Sequence, residues 1–321
     1  MADDGDNNVF VYMGGEQVVP HDVTHVIIDR SVKIIPERAF EHRRELVSVK
    51  FHDGVERIEK YAFRGCKSLR RLNKLAGVRE VGQWAFWFCS ALTEVEFDDK
   101  LEIIGSGAFR DCRSLRKIKV PSVRTIEYGA FADCVALTDV ELPDVERIEF
   151  FAFHNCPNLR RIAIPLRDNM FAPDRYQRYT HFHYCRNLTT VDLVGGIRNT
   201  VTSLLLQRWT DDMNSEIDRI NQVLPNTDVN EKTAVIDQWI RTVLRRMDHY
   251  KAEHNKLLKE ATTLLELAIW KAKLDEKEDC SIEGRAKKAK IDTAGARINR
   301  RITSGANIVI RNVLPFLQLD E

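Results

Sequence analysis

The cysteines and histidines are the residues of this 321-residue chain with the widest chemical repertoire. Regularly spaced cysteines could be metal ligands, disulfide partners, redox thiols or interior packing residues. Zinc ligands usually come in pairs two to four residues apart, and no cysteine pair has that spacing. Packing is the favoured interpretation, because free cysteine behaves as a small, deeply buried hydrophobe. Six cysteines recur at intervals of 22 to 29 residues: Cys66, Cys89, Cys112, Cys134, Cys156 and Cys185.

A second candidate for metal chemistry is the sequence His181-x-His183-x-Cys185. In a helical turn these three side chains would not converge, so no metal is expected there. The chain also has no Gly-rich phosphate loop, no G-x-S-x-G elbow and no H-E-x-x-H motif. The residues therefore predict neither a catalytic site nor a cofactor.

The cysteines belong to a repeated frame, V/L-x-x-I-x-x-x-A-F-x-x-C-x-x-L-x-x-I-x-F, in which Arg43 replaces the first cysteine. A period near 23 residues predicts a solenoid. Each repeat contains one strand-like piece with alternating apolar residues. Its A-F-x-x-C-x-x-L piece has the spacing of a short helix or helical turn. Successive spacings of 23, 23, 23, 22, 22 and 29 residues separate Phe40, Phe63, Phe86, Phe109, Phe131, Phe153 and Phe182.

This frame resembles the BspA-like class of leucine-rich repeats over about residues 23–195. The resemblance rests on seven A-F-type units. It implies an α/β repeat solenoid with a parallel sheet on its concave face, and an all-α extension follows in the sequence. The resemblance assigns no activity, because solenoids are binding scaffolds for many different partners.

Charged residues fill the strand positions that face outward, and their signs tend to alternate between neighbouring strands. One such row reads Arg71, Glu94, Lys117, Asp139 and Arg161. Opposite charges on adjacent strands attract weakly, so the row is either a solvated ladder that fixes repeat order or a polar surface for docking a protein. A nucleic-acid partner is disfavoured, because it would require a continuous basic stripe.

Two segments depart from the frame and are candidate partner-binding surfaces. Trp87 and Phe88 stand where other repeats have pairs such as Arg64-Gly65 or Arg110-Asp111, and Trp84 lies around the same turn. Aromatic residues are common interface anchors. The alternative is that they pack on neighbouring turns or on the C-terminal region. An insertion at 165–182 predicts a projecting loop, which is either an ordinary solvated loop or a binding loop that uses Arg175, Tyr176 and Tyr179.

The second half of the chain has a helical composition. A first segment stops at Pro225, and a second, over 228–276, carries apolar residues at alternating spacings of four and three. The later part of this seam includes Tyr250, Leu257 and Leu264. The helix either folds back on itself as a hairpin or pairs through these residues with a second copy or a partner helix.

Composition places limits on location and partners. Forty-nine Lys and Arg balance 48 Asp and Glu, and the chain has no apolar run long enough to span a membrane and no secretory signal sequence. We therefore expect a cytoplasmic or nuclear, non-enzymatic scaffold that binds a protein partner. The alternatives are an enzyme or enzyme subunit with an unrecognised site and a nucleic-acid-associated adaptor. The predicted domains are an N-terminal cap or tail (1–22), the solenoid (23–200), a helical extension (201–278), a charged linker (279–303) and a C-terminal docking helix (304–321).

Overall fold

The computed structural model describes residues 9–15, 17–173, 178, 180–194 and 207–283. Within these ranges it does not describe the side chains of 207–210, 254, 257, 258 and 273–283. The chain divides into two compact units. The first combines residues 1–198 with 212–244, and the second combines 199–211 with 245–321. Gly195 and Gly196, the predicted end of the solenoid, and the predicted helix at 304–321 lie outside the described residues.

The predicted repeat solenoid is confirmed, and its strands form parallel sheets. In each repeat the longer strand alternates an inward apolar residue with outward polar ones, as in Lys117-Ile118-Lys119. The resulting nine-stranded sheet consists of β1 (Val9–Tyr12), β2 (His25–Ile28), β4 (Ser48–Lys50), β6 (Arg71–Leu72), β8 (Glu94–Glu96), β10 (Lys117–Lys119), β12 (Asp139–Glu141), β14 (Arg161–Ile164) and β15 (Thr190–Leu193).

A second parallel sheet, which the sequence analysis did not predict, is built from the V/L-x-x-I piece of each repeat. The isoleucine of that piece points into the core, and the residue before it faces solvent in most repeats. These two-residue strands are β3 (Ile34–Ile35), β5 (Arg57–Ile58), β7 (Glu80–Val81), β9 (Ile103–Ile104), β11 (Thr125–Ile126) and β13 (Arg147–Ile148).

The A-F-x-x-C-x-x-L pieces are successions of tight turns rather than helices. In one repeat the Cys112 N–H donates to the Phe109 C=O at 3.2 Å, and the Leu115 N–H donates to the Cys112 C=O at 3.0 Å. Two positions adopt positive φ in six of the seven repeats, and one does in the last, at Tyr184; this left-handed conformation interrupts any helix. One lies just before the alanine, as at Gly107, and the other lies just before the cysteine, as at Asp111.

The core is a stack of phenylalanine rings, one per repeat. Neighbouring ring centroids lie 4.8–5.6 Å apart, and five of the six pairs tilt by no more than 11°. The backbone of each phenylalanine also bonds across repeats, as when the Phe86 N–H donates to the Ala108 C=O at 2.7 Å. Tyr12 covers the N-terminal end of the stack, with its ring edge-on to Phe40.

The six repeat cysteines form a second interior column beside the rings. All are buried, and each thiol donates to the phenylalanine C=O of the preceding repeat at 3.0–3.2 Å. Burial raises the pKa of the Cys66 thiol to about 12, so the thiolate that attacks electrophiles is scarce at neutral pH. The thiol–carbonyl contact explains why the frame prefers cysteine to alanine at this position.

The first prediction concerns this column. Replacing Cys112 with Ser should reduce the free energy of unfolding, because it buries a more polar group. The reduction should be only about 1–2 kcal/mol, because the Phe86 C=O is an acceptor for the hydroxyl. Chemical denaturation of the wild type and the variant measures this difference. In a Cys280→Ser background, the column thiols should react with a thiol reagent only after unfolding. Rapid modification of the native protein would contradict the assignment.

Both ends of the solenoid carry side chains that replace a missing repeat. At the N-terminal end Arg43 stands at the cysteine position, and its Nε donates to the Val19 C=O at 2.8 Å. At the other end the Phe182 N–H donates to the Thr233 hydroxyl oxygen at 3.1 Å, where inner repeats use a backbone carbonyl. The buried Lys232 ammonium donates to the Arg186 and Leu188 C=O groups. Desolvation of that ammonium lowers the pKa of Lys232.

The first helix among the described residues is α1 (Gln207–Val223). A short 3-10 helix (Leu224–Asn226), which contains the predicted stop at Pro225, follows it. The second helix, α2 (Lys232–Glu283), runs into the segment interpreted as a charged linker. Within the first unit, its seam residues Ile236, Ile240 and Val243 are buried. None of the described helices is long and apolar enough to cross a membrane.

Candidate interaction surfaces

The first candidate surface, which we call the first aromatic cluster, comprises Tyr61, Trp84, Trp87 and Phe88 on the turn side of the solenoid. The Trp84 and Trp87 ring centroids lie 4.9 Å apart, and those of Trp87 and Phe88 lie 5.0 Å apart. The Arg64 guanidinium lies 4.5 Å from the Trp87 ring centroid and 5.2 Å from that of Tyr61, within cation–π range of both, and so joins Tyr61 to the cluster. All four aromatic side chains are partly exposed.

Part of this cluster packs on neighbouring turns, which was the alternative explanation for these residues. The Trp84 ring lies over Gly107, where a Cβ atom would come within 2.2 Å of the ring. Gly107 also has a φ of +60°, so glycine there serves both the turn and the close approach of the indole. Trp84 is thus a packing residue on one side and a surface residue on the other.

Three residues of the cluster have left-handed backbone conformations. Tyr61, Trp84 and Phe88 have φ values of +57° to +61°. A bulky residue in the left-handed region costs about 1–2 kcal/mol, whereas Gly, Asn and Asp are tolerated there. Six of the equivalent positions in other repeats carry those tolerated residues, whereas the first repeat has Arg38 and His42 there, with φ of +60°. The six are Gly65, Gly107, Asp111, Gly129, Asp133 and Asn155.

A second aromatic cluster, missed by the sequence analysis, lies further along the same turn side. It comprises Tyr128, Phe150, Phe151, His154 and Tyr184. The Tyr128 and Phe150 rings are 5.0 Å apart, and the His154 ring is 5.0 Å from Phe151 and 5.6 Å from Tyr184. Phe151 and Tyr184 also have positive φ, and Tyr128 and Tyr184 are exposed. The available signal was Phe150-Phe151, a pair of adjacent aromatic residues before the repeat alanine where the other repeats have at most one.

The insertion at 165–182 is only partly described. Its first part does not project, because Leu166, Met170 and Phe171 are buried and Phe171 bridges to Ile148 at the edge of the second sheet. The apolar residues of this part override the expectation of a projecting loop. Three candidate partner-binding residues, Arg175, Tyr176 and Tyr179, lie outside the described residues.

The outer face of the nine-stranded sheet carries the predicted charge ladder. Lys117 pairs in register with Glu94 on one side and with Asp139 on the other. The Lys119 ammonium donates to a Glu96 carboxylate oxygen at 2.9 Å, which lowers the pKa of Glu96 and raises that of Lys119. A groove of about 690 Å³ on the sheet runs between Glu94 and Arg161. Cations and anions alternate along it, so the described residues of this face form no continuous basic stripe.

The described side chains of α2 in the second unit present a third surface. Leu264, Leu267 and Trp270 are 66%, 61% and 68% exposed. Tyr250, a predicted partner-binding residue, is partly exposed. The side chains of His254 and Leu257, which continue the predicted seam, are not among those described.

A sequence model of the family described as "BspA type Leucine rich repeat region" matches residues 20–138 and 121–206 in six copies. These matches cover more than half of the chain. The chain belongs to the BspA-type leucine-rich-repeat family. No curated protein matches it.

Several solved structures are similar to this BspA-type chain. A leucine-rich repeat protein from Bacteroides ovatus is 22% identical, with 54% of this chain and 56% of that one covered and a TM-score of 0.42. A leucine rich cell surface protein from Faecalibacterium prausnitzii is 21% identical, with coverages of 53% and 60% and a TM-score of 0.35. The T. pallidum leucine rich repeat protein is 24% identical, with coverages of 63% and 85% and a TM-score of 0.37. The BspA-type chain thus spans less than two thirds of the first two proteins.

The histidines of His181-x-His183-x-Cys185 lie in different surroundings in this BspA-type repeat. His181 is buried at the alanine position of the frame, and its Nε2 lies 2.9 Å from the Ile148 C=O, so the neutral ring donates there. His183 lies on the turn side, with its ring 4.1 Å from that of Tyr184. Among the described residues, no group of three or more His, Cys, Asp or Glu is placed to hold a metal ion.

The second prediction is a pH dependence of stability that arises from His181. Burial lowers the pKa of His181 to about 4, against about 6.5 in the unfolded chain. A lowered histidine pKa stabilises the fold fully above pH ~6.5, and this contribution is lost as the pH falls towards 4. The difference of about 2.5 pKa units corresponds to about 3 kcal/mol at the acid end.

Unfolding by denaturant at several pH values between 4 and 7 measures this effect. A His181→Gln variant should lose stability at pH 7 but show a change across that range smaller by about 3 kcal/mol than the wild type. The exposed His21→Gln variant controls for the removal of an imidazole. An unchanged pH dependence in His181→Gln would show that other groups carry it.

Proposed function

We propose that this protein is a non-enzymatic interaction scaffold, whose leucine-rich-repeat solenoid binds a protein partner through the turn-side aromatic clusters. The observation that carries the proposal is the left-handed backbone of Tyr61, Phe88, Phe151 and Tyr184. Residues with strained backbone conformations cluster at functional sites. Partly exposed aromatic side chains are also the usual anchors of protein interfaces.

The alternating charges of the sheet face support a protein partner as well. Most described cations of the ladder have an acidic neighbour, whereas nucleic-acid binding depends on cations that are free to neutralise phosphates. Arg161, for example, donates to an Asp192 carboxylate oxygen at 2.5 Å. The alternatives remain an enzyme or enzyme subunit with an unrecognised site and a nucleic-acid-associated adaptor. A nucleic-acid binding assay at several salt concentrations distinguishes the adaptor from the protein-binding scaffold, because only the adaptor would bind, and would bind more weakly as salt rises.

The third prediction tests the first aromatic cluster. Replacing Trp87 and Phe88 by Arg and Asp, the residues of the next repeat at 110 and 111, should leave the solenoid folded. Stability should change by no more than about 1–2 kcal/mol, because relief of the strain at Phe88 offsets the lost ring contacts. Partner capture in crosslinking and mass spectrometry should nevertheless be lost.

The matched control places the same kind of change on the sheet face, with Lys119→Asp and Glu96→Arg reversing one exposed ion pair. If the control loses the partner and the aromatic variant keeps it, the binding surface is the sheet face. Unfolding of the Trp87/Phe88 variant would show that the pair belongs to the core.

A second function, self-association through the 228–276 helix, is favoured by the exposed Leu264, Leu267 and Trp270 side chains. Burying a leucine that is otherwise exposed stabilises an assembly by roughly 1.5–3 kcal/mol. A second copy supplies a matching apolar helix, and the alternating four and three spacing of the seam is the pattern that pairs such helices. We therefore propose a homodimer formed through this part of α2.

The fourth prediction is a concentration-dependent dimer of the full chain in sedimentation. Replacing Leu264 and Leu267 by Lys should weaken the dimer by at least about tenfold, because each change removes apolar burial and places like charges together. Replacing the exposed Thr263 by Lys is the control. Point variants are preferable to a truncation at Thr200, since Lys232 and Thr233 bond to the last repeat. A monomer at tens of micromolar would contradict this proposal.

A further inference from the structure

A row of arginine and threonine residues lies where the strands of the nine-stranded sheet begin. Each member comes immediately before a strand, and backbone bonds hold the members side by side. The Arg116 N–H donates to the Thr93 C=O at 2.9 Å, and the Arg160 N–H donates to the Thr138 C=O at 2.8 Å. This row, which we call the arginine row, comprises Arg70, Thr93, Arg116, Thr138, Arg160 and Thr189.

The three arginines of the row are exposed and lack a counter-charge in the described part of the chain. Arg70, Arg116 and Arg160 all lie at the surface, and with the described residues none of them forms an ion pair. The threonines bond to the backbone instead. The Thr93 hydroxyl donates to the Arg70 C=O at 3.4 Å, and the Thr138 hydroxyl donates to the Arg116 C=O at 3.5 Å. The guanidinium groups are therefore the charged groups with which this row can bind a ligand.

The next residue of each repeat, on the strand itself, belongs to the charge ladder. There Glu94 pairs in register with Arg71 and Lys117. Asp139 pairs in register with Lys117 and Arg161. The two rows together read Arg-Arg, Thr-Glu, Arg-Lys, Thr-Asp and Arg-Arg over successive strands of the sheet. Cation pairs thus recur on every second strand, about 10 Å apart, with an acidic residue between them.

This spacing discriminates between anionic ligands. A nucleic acid carries a phosphate on every nucleotide, about 3.4 Å apart along each strand of a duplex, so phosphates would also face Glu94 and Asp139, and like charges repel. An extended β-strand turns residues three apart to opposite faces. A polyproline II helix has three residues per turn and rises about 3.1 Å per residue, so every third side chain faces the same way at about 9.3 Å intervals. The row therefore fits a polyproline II segment with an acidic residue at every third position.

We propose that the arginine row is a docking site for an acidic segment of another protein, bound as a polyproline II helix with Asp or Glu at every third position. Successive acidic residues of that segment pair with Arg70, Arg116 and Arg160, because a guanidinium binds a carboxylate through two parallel N–H···O bonds. Arg116 and Thr138 also line the groove on the outer face of the sheet. This site is separate from the turn-side aromatic clusters and from α2, so its test does not depend on the proposed function.

The fifth prediction uses a fluorescently labelled peptide, blocked at both ends, with the sequence Glu-Pro-Pro-Glu-Pro-Pro-Glu. It should bind the full chain saturably in fluorescence anisotropy at low salt, and more weakly as salt rises, because salt screens exposed charges. The matched control peptide, Glu-Glu-Glu-Pro-Pro-Pro-Pro, has the same composition and charge but groups the acidic residues together. It should bind about fivefold more weakly, because its carboxylates cannot reach all three arginines at once.

Two variants of the full chain locate the site. The triple variant Arg70→Gln, Arg116→Gln and Arg160→Gln should bind the first peptide about tenfold more weakly, because each exposed ion pair accounts for roughly a twofold to fivefold change. The control variant also changes three exposed arginines to Gln, but on the second sheet, where each pairs with a glutamate, and it should change binding by less than about twofold. The arginines of this control are Arg57, Arg124 and Arg147.

Four outcomes would overturn the proposal. Absence of saturable binding at low salt would show that the row is not a site. Equal binding of the two peptides would show that the spacing of the acidic residues does not matter. Equal loss of binding in the two protein variants would show that only net charge matters. Tighter binding of a short oligouridylate than of the first peptide would identify single-stranded nucleic acid as the occupant.

Discussion

The hydrogen bond from each repeat phenylalanine N–H to the alanine-position C=O of the next repeat is the contact on which the remaining structure depends. It brings successive turns into van der Waals contact, so that the phenylalanine rings stack and the thiols reach the carbonyls of the preceding repeat. Because a buried backbone group without a partner costs about 1–3 kcal/mol, every repeat requires a neighbour on each side. The arrangement is therefore stable only as an array with specific ends.

Different side chains bond to the backbone of the end repeats at the two ends of the solenoid. At the C-terminal end, Thr233 accepts the phenylalanine N–H, Lys232 donates to two carbonyls, and the Asn221 amide oxygen accepts the Val191 N–H at 2.8 Å. At the N-terminal end, Arg43 replaces a thiol and Gln17 bonds to the edge of β1. The C-terminal side chains that make these bonds belong to α1 and to the start of α2. This part of the helical extension is thus a component of the repeat domain, which differs from the predicted domain boundary at residue 200.

The turns, in contrast, leave room for function. Core positions are fixed by stacking, but the two left-handed positions of each turn require only a tolerated backbone conformation. Six of these positions hold glycine, asparagine or aspartate, and the first turn has Arg38 and His42. The others hold the aromatic residues Tyr61, Trp84, Phe88, Phe151 and Tyr184. The stability lost to strain is recovered in part by ring stacking and by packing such as that of Trp84 over Gly107. The part of the strain that is not recovered is consistent with selection for an aromatic surface on the turns.

The sequence by itself determined the repeat, the parallel sheet, the inward residues and the row of alternating charges, because each follows from a period or an alternation along the chain. It also indicated that cysteines without paired spacing are packing residues. Only the tertiary structure decided the second sheet and the acceptor of each thiol. Tertiary contacts likewise decided that Met170 and Phe171 are buried. They also decided that the side chains of Arg43, Lys232 and Thr233 bond to the end repeats. These features join residues that are about 20 to 50 positions apart, and no local pattern specifies which side chain will meet which unpaired backbone group.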